Sequence, residues 1–179
     1  MRLNLNKIKA QAVAGKSKAQ RMMANYYWNK GQYATSLDWF NSLVRNKKTP
    51  VRQKGWAYEC LGWMYYYGKG VEKNFRLSQK NYKITNSILH ELAMKGNVIA
   101  QRKVGENHGS GIGARRNLKR AFFYYLMAAK KGSPVCQPRV ARAYEKGIGV
   151  KRNYRLAFDW YLKSAKRGNA DSQYMVGRR

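Results

Sequence analysis

Two stretches of the chain, GIGARRNLKRA (residues 111–121) and GIGVKRNYRLA (residues 147–157), are nearly identical and begin 36 residues apart. The likeness extends in both directions, so that residues 98–133 align with residues 134–169 without a gap. A third copy, LGWMYYYGKGVEKN, lies upstream at an offset of 43 residues and is followed by seven extra residues after Asn74. Self-similarity at a fixed period indicates a repeat protein.

Each copy has the pattern of a helix, a tight turn and a second helix. The paired glycines permit the positive φ that such a turn requires. The asparagine that follows (Asn74, Asn117 or Asn153) is a good N-cap for the second helix, and basic residues before a glycine are typical of its end. A unit of this size cannot bury its apolar face alone, so the units must stack. The sequence therefore predicts an all-α fold, a right-handed α-solenoid of stacked helix-turn-helix repeats.

The repeated positions resemble a known family. LGWMYYYGKGVEKN, VGENHGSGIGARRNLKRAFFYYLMAAKKG and VARAYEKGIGVKRNYRLAFDWYLKSAKRG share the spacing of SEL-one-like repeats, which are relatives of tetratricopeptide repeats. The resemblance covers roughly residues 55–179. It departs from the family pattern at His108, where the family usually has Tyr, and at Ala114, which replaces Val. The resemblance implies a non-catalytic scaffold that binds other proteins, as in bacterial adaptors, secretion-linked proteins and immunity proteins.

The repeat boundaries predict the domain organisation. The insertion in the first SEL-one-like repeat, around residues 79–92, either lengthens the second helix or forms a contact with a specific partner. Pro138 stands where the first helix of the last full repeat should already be running, so we expect that helix to start late. The expected segments are a basic N-terminal arm with a tetratricopeptide-like hairpin (1–50), three SEL-one-like repeats (51–97, 98–133 and 134–169) and the start of a further repeat acting as a C-terminal cap (170–179).

The composition is strongly basic. The chain has 37 Lys and Arg against 8 Asp and Glu, a formal net charge of +29, and a protein with this balance attracts polyanions and acidic surfaces. The two cysteines form neither a disulfide framework nor a zinc-ligand pattern, which favours a reducing compartment. The first residues, MRLNLNKIKAQAVAGKSKAQ, lack the apolar run of a secretion signal or a membrane span. We expect a cytoplasmic protein.

No pattern in the sequence indicates catalysis. There is no phosphate-binding loop, and the eight acids form no convincing carboxylate pair or metal cluster. His90 lies in a helical segment and His108 in a slot that is otherwise aromatic, so a structural role is expected for both. Cys136 aligns with small residues of the other repeats and is predicted to be a core thiol, whereas Cys60 aligns with basic residues and is predicted to be partly exposed. We expect no enzyme activity, no cofactor, no metal and no small-molecule substrate.

The basic residues recur in equivalent slots, just after the glycine turn and one helical turn later. Stacked repeats place equivalent positions about 10 Å apart, so these side chains should form a positive ladder along one edge of the solenoid. We call this set the basic turn ladder. The alternative is that the cations are only solvated surface. The members are Lys73, Arg76, Arg115, Arg116, Lys119, Arg120, Lys151, Arg152 and Arg155.

Aromatic residues recur beside these cations, in the stretches WMYYYG and AFFYYL. Consecutive rings on one helix cannot all face the core, so some of Tyr65, Tyr66, Phe123 and Tyr124 should line a groove or surface. Such rings can anchor a peptide or stack on a nucleic-acid base.

The sequence supports two functional hypotheses. The first is a non-catalytic scaffold or adaptor that binds an acidic macromolecule, with a protein as the favoured partner, through a concave groove and the basic turn ladder. An inhibitor or immunity protein is one form of this function. The alternative is a nucleic-acid-binding protein, of RNA or a ribonucleoprotein, that uses the same cations against phosphates.

Overall fold

The computed structural model describes residues 4–178, and the ordered elements within that range are all helices. They lie in two compact units, one extending to Ile88 and the other beginning at Leu89, within the fifth helix. The prediction of an all-α solenoid of helix-turn-helix repeats is confirmed. The helices are α1 (Leu5–Val13), α2 (Ser17–Asn29), α3 (Tyr33–Arg45), α4 (Val51–Tyr67), α5 (Phe75–Met94), α6 (Val98–Ser110), α7 (Leu118–Lys130), α8 (Cys136–Lys146), α9 (Tyr154–Ala165) and α10 (Ala170–Gly177).

The turn between the two helices of each repeat has the geometry that its glycines predict. Gly111 ends α6 at φ 83° and Gly147 ends α8 at φ 72°, both in the left-handed region. The second glycines, Gly113 and Gly149, also have positive φ. A side chain at any of these positions would strain the backbone, so glycine fixes where the first helix ends.

The cap asparagines join the two helices of a repeat in two ways. The Oδ1 atom of Asn117 accepts from Arg120 N at 3.0 Å, which caps α7. The backbone N–H of Asn117 donates to His108 O at 2.7 Å, which ties the turn back to α6. Asn153 and Asn74 make the equivalent pairs of bonds in their own repeats, with donors and acceptors in the same slots. The predicted N-caps are therefore confirmed.

Small residues allow the two helices of a repeat to approach closely. A Cβ added at Gly105 would lie 2.7 Å from the Tyr125 ring, and one added at Gly62 would lie 3.1 Å from the Tyr82 ring. By contrast, a Cβ at Gly177 would meet nothing within 4 Å. The close approach is thus a property of the complete repeats, in which a second helix packs on the first.

The seven-residue insertion and Pro138 both change helix lengths. The helix α5 has 20 residues where α7 has 13, so the insertion lengthens the second helix of its repeat. The helix α8 begins at Cys136, two positions later than alignment with Val98 of α6 would place it. Pro138 then lies in the first turn, where its missing N–H costs no helical hydrogen bond. The expected late start of this helix is confirmed.

Neighbouring repeats of the C-terminal unit are linked by cations at helix ends. Lys131 Nζ donates to Gly96 O at 2.9 Å, and the guanidinium of Arg167 donates to Gly132 O. Lys131 and Arg167 are equivalent, 36 residues apart, as are the two glycines. Each cation therefore binds the negative end of the second helix of the preceding repeat, rather than only the end of its own helix.

A buried glutamine provides a further link that the sequence comparison did not recognise. Gln101 Nε2 donates to Ala93 O at 3.0 Å, from the first helix of one repeat to the last turn of the preceding second helix. Gln20 and Gln173 occupy the same slot. They make the same bond, at 3.3 Å, to carbonyls eight residues upstream.

The N-terminal segment, expected to be a basic arm, contains a packed helix. Ala12 of α1 is buried against Ala19 and Met23 of α2. Gly15 follows α1 with φ 79°, as Gly96 follows α5 with φ 89°. The segment therefore ends in the way that the second helix of a repeat does.

Candidate functional site

The cations of the basic turn ladder in the C-terminal unit are all exposed. They lie in the loops before α7 and α9 and in the first turns of those helices, because the cap asparagines begin both helices in the midst of the basic residues. Exposure at these positions leaves every charge available to a partner. The residues are Arg115, Arg116, Lys119, Arg120, Lys151, Arg152 and Arg155.

The two turns that carry these cations lie against each other. A Cβ added at Gly149 would stand 2.1 Å from Leu118 O and 3.0 Å from Lys119 N. The loop before α9 therefore contacts the N-terminus of α7 with no side chain between the two backbones. Arg116 and Arg152, each close to this contact in sequence, are brought onto one edge. The structure thus brings the C-terminal part of the ladder together.

The charge on this edge is not neutralised within the described residues. Between residues 4 and 178, no carboxylate lies within ion-pair distance of a ladder cation. The guanidinium of Arg152 lies over the Tyr154 ring, 5.2 Å from its centroid. Asp159, one turn beyond Arg155 on α9, forms no ion pair with another described residue. The N-termini of α7 and α9 add partial positive charge at the same edge, which favours an anion there.

The N-terminal unit has its own version of this turn. Lys73 and Arg76 are exposed around the start of α5, in slots equivalent to Arg116 and Lys119. Glu72 occupies the slot that holds Arg115 in the next repeat, so the turn before α5 is less positive.

The predicted aromatic residues divide into two groups. Phe123 and Tyr66 are exposed, and Tyr65 is half-buried. Tyr124 is only 4% exposed, and we correct its assignment as a partner-binding residue. Its ring packs with Ala93, Ala100 and Val104 in the core, because its position on α7 faces α6.

Both histidines contact Tyr124. The His108 ring is buried and lies nearly parallel to the Tyr124 ring, with an interplanar angle of 11°. Burial lowers the pKa of His108, and the positive charges of Arg120 and His90 lower it further, against the opposing effect of a hydrogen bond with Arg115 O. The Tyr124 hydroxyl is 2.5 Å from His90 Nε2. These contacts support the structural role expected for both histidines.

The cysteines lie where the alignment places them. Cys136 is fully buried in the core of the C-terminal unit, and burial raises the pKa of its thiol. Cys60 is half-buried. Both predictions are confirmed.

The sequence comparison missed a second surface of the C-terminal unit. Arg139 bridges Glu106, at 3.3 Å, and the Tyr125 ring, at 5.4 Å. Tyr161 donates to Glu145 at 3.0 Å, and burial together with this carboxylate raises the pKa of Tyr161 to about 12. Arg139, Glu145 and Tyr161 help to line an open cavity of about 770 Å³. The signal for it was the recurrence of a tyrosine at equivalent positions 82, 125 and 161.

Between residues 4 and 178, no three His, Cys, Asp or Glu side chains are grouped as metal ligands. Over the same range, none of the helices combines the length and the apolar character needed to span a membrane.

Comparison with known proteins identifies the repeats. The model of the Sel1 repeat family matches residues 61–84, 98–133 and 134–169, which together make up more than half of the chain. No curated protein matches the chain significantly.

Two solved structures share the fold. One is c5321, described as a protective antigen of uropathogenic Escherichia coli strains with an SLR fold, with 28% identity and a TM-score of 0.70 over 98% of this chain. The other is a Sel1 repeat protein from Oxalobacter formigenes, with 24% identity and a TM-score of 0.62 over 91% of this chain. The chain spans 36% of the first and 63% of the second. From the matched repeats and the fold, this chain belongs to the Sel1 repeat family.

Proposed function

We propose that the chain is a non-catalytic scaffold or adaptor that binds an acidic protein through the basic turn ladder. Sel1 repeat proteins are generally scaffolds for protein interactions. The observation that supports an acidic partner is the edge of the C-terminal unit. There, the exposed cations of two adjoining turns have no carboxylate partner among residues 4–178. An inhibitor or immunity protein is one form that this function takes.

The charge balance supports this proposal energetically. With 37 basic and 8 acidic residues, the cations repel one another, and the folded chain gains stability from any partner that neutralises them. An acidic surface steers the encounter and fixes the register between the two proteins. Phe123, exposed on α7 beyond the ladder cations, is available as an apolar anchor.

Charge reversal tests the proposal with a matched control. Arg116→Glu with Arg152→Glu alters the ladder, whereas Lys130→Glu with Lys166→Glu makes the same change of net charge at the opposite ends of α7 and α9. All four side chains are exposed, so both variants should fold. From a nuclease-treated lysate, we expect the wild type and the control variant to capture acidic proteins. The ladder variant should not capture them. Equal losses in both variants would mean that only net charge matters.

A nucleic-acid-binding function is the second candidate. The observation that favours it is a group of exposed rings, Tyr66, Tyr67 and Phe75, in the same unit as the cations Lys73 and Arg76. Tyr66 contacts both of the other rings, with centroids 4.9 and 5.4 Å apart. Exposed rings beside cations are found on surfaces that bind single-stranded nucleic acid. A salt titration of binding separates this candidate from the first.

A further inference from the structure

The turn edge of the C-terminal unit carries apolar side chains as well as cations. Ile112 and Ile148 stand between the two glycines of their turns and are 44% and 40% exposed. Leu118 and Tyr154 are the first residues of α7 and α9 and are 39% and 48% exposed. We call these four the apolar turn residues. They occupy two equivalent pairs of slots, so the repeat itself generates the pattern.

The three aliphatic members of this set are not explained by the protein core. Ile112, Leu118 and Ile148 pack into none of the hydrophobic clusters formed by the described residues. The exposed part of each of these side chains leaves apolar surface in water and does not stabilise the fold. A role in binding accounts for their position.

The cations and the apolar turn residues alternate on one surface. Along the chain, Leu118 lies between Arg116 and Lys119, and Tyr154 lies between Arg152 and Arg155. Across the repeats, the backbone contact of Gly149 with Leu118 places the turn that bears Ile148 at the start of α7. Leu118 and Tyr154 therefore each lie between cations in the sequence, and the turn that bears Ile148 lies beside the first of these pairs.

We infer that the partner segment bound at this edge alternates acidic and apolar side chains, an inference that rests on the proposed function. A partner with acidic groups alone satisfies the cations and leaves the apolar turn residues in water. Burying those residues as well adds affinity that salt does not screen. Equivalent positions of stacked helices are about 10 Å apart, which an extended chain covers in about three residues. The acidic residues of the partner should therefore recur about every three positions, with apolar residues between them.

The chemistry of the edge favours a protein over other anionic partners. Nucleic-acid bases stack on aromatic rings, whereas three of the four apolar turn residues are aliphatic. The edge is therefore poorly suited to bind bases. All four also have more than half of their surface covered by the turns. They form a shallow strip that receives side chains, rather than a wedge that inserts into a lipid surface.

Two peptides of equal length and charge test the inference. Both have Glu at every third position, and the positions between are filled by Leu and Phe in one peptide and by Ser in the other. Binding to the full chain is measured by fluorescence anisotropy at about 0.15 M salt, where exposed charges are already well screened. We expect the acidic–apolar peptide to bind at least about tenfold more tightly. The double variant Ile112→Ser with Ile148→Ser, which removes two of the four apolar turn residues, should reduce this difference several-fold and leave the binding of the acidic–serine peptide unchanged.

The controls separate failure of the inference from failure of the proposed function. Ile99→Ser, at a residue of α6 that is 54% exposed, removes exposed apolar surface away from the turns and should change neither affinity. Equal affinities for the two peptides, both lost with Arg116→Glu and Arg152→Glu, would overturn the inference and leave the proposed function standing. Binding that does not depend on those arginines would overturn both. Tighter binding to vesicles of phosphatidylglycerol, or to single-stranded RNA, would assign the edge to lipid or nucleic acid and would also overturn the inference.

Discussion

Gly149 illustrates how single residues of this chain are constrained both by their own backbone and by the neighbouring repeat. Its φ of 72° disfavours any other residue, and the space for a side chain is filled by the backbone at Leu118. Gly168 has a similar φ of 84° but has nothing within 4 Å of an added Cβ. A comparison of Gly149 with Gly168 therefore separates the energetic cost of backbone strain from that of packing between repeats.

Gly149→Ala should be more destabilising than Gly168→Ala. The second substitution carries only the cost of left-handed backbone, about 1–2 kcal/mol. The first also forces two backbones apart, so we expect a total of about 3 kcal/mol or more. Urea unfolding followed by circular dichroism measures both. Equal losses would mean that the contact between the turns adds nothing to stability.

His108 gives the fold a dependence on pH. Because burial lowers its pKa in the folded chain, the unfolded chain binds the proton first as pH falls. The contribution of the neutral imidazole is therefore fully present above its ordinary pKa of 6.5 and is lost at more acidic pH. We expect the melting temperature to fall between pH 7 and 5, on either side of that value.

The variant His108→Tyr, which restores the residue found at the equivalent positions 65 and 144, should flatten this pH dependence. His90→Gln, which removes an exposed histidine that also contacts Tyr124, is the control and should retain most of it. A slope unchanged in His108→Tyr would show that another group controls the acid response.

At the scale of the helices, the turns were predictable from the sequence and the links between repeats were not. Paired glycines and asparagine caps act locally, through φ and hydrogen bonds within a few residues, so the pattern around Gly111 and Asn117 determines the turn. The bond from Lys131 to Gly96 joins residues 35 apart, and basic residues at a helix end already have a local explanation. Tyr124 was misassigned for a related reason, since consecutive rings do not show which one faces the core.

Removing the cationic links between repeats should destabilise the C-terminal unit. Lys131→Met with Arg167→Met removes two charged donors from helix-end carbonyls, at a cost of about 0.3–1 kcal/mol each. Lys130→Met with Lys166→Met removes the adjacent exposed lysines, which lie at the ends of their own helices and make no bond to the preceding repeat. This control should therefore cost less. Thermal unfolding monitored by circular dichroism compares the two. If Lys131 and Arg167 are merely solvated, the two double variants should show the same small change in stability.

At the scale of the whole molecule, the excess of positive charge is unevenly distributed among the helices of the C-terminal unit. The carboxylates of Glu106 and Glu145 lie on α6 and α8, where they contact Arg102, Arg139 and Tyr161. Within the part of the chain that the structure describes, the cations of the turns before α7 and α9 have no such carboxylate partners. The composition shows a net charge of +29. Only the fold shows which charges are paired within the chain and which are available to a partner.

The most direct test of this account is a salt titration of binding, by fluorescence anisotropy, to the acidic–apolar peptide, mixed-sequence RNA and duplex DNA. The account predicts that the peptide stays bound at about 0.15 M salt, whereas the attraction of both nucleic acids has largely vanished by that concentration. Sub-micromolar binding of RNA or DNA near that concentration, with a steep slope of log affinity against log salt, would mean that several phosphates are engaged. That result would contradict the assignment of the basic turn ladder to an acidic protein and would make nucleic acid its partner.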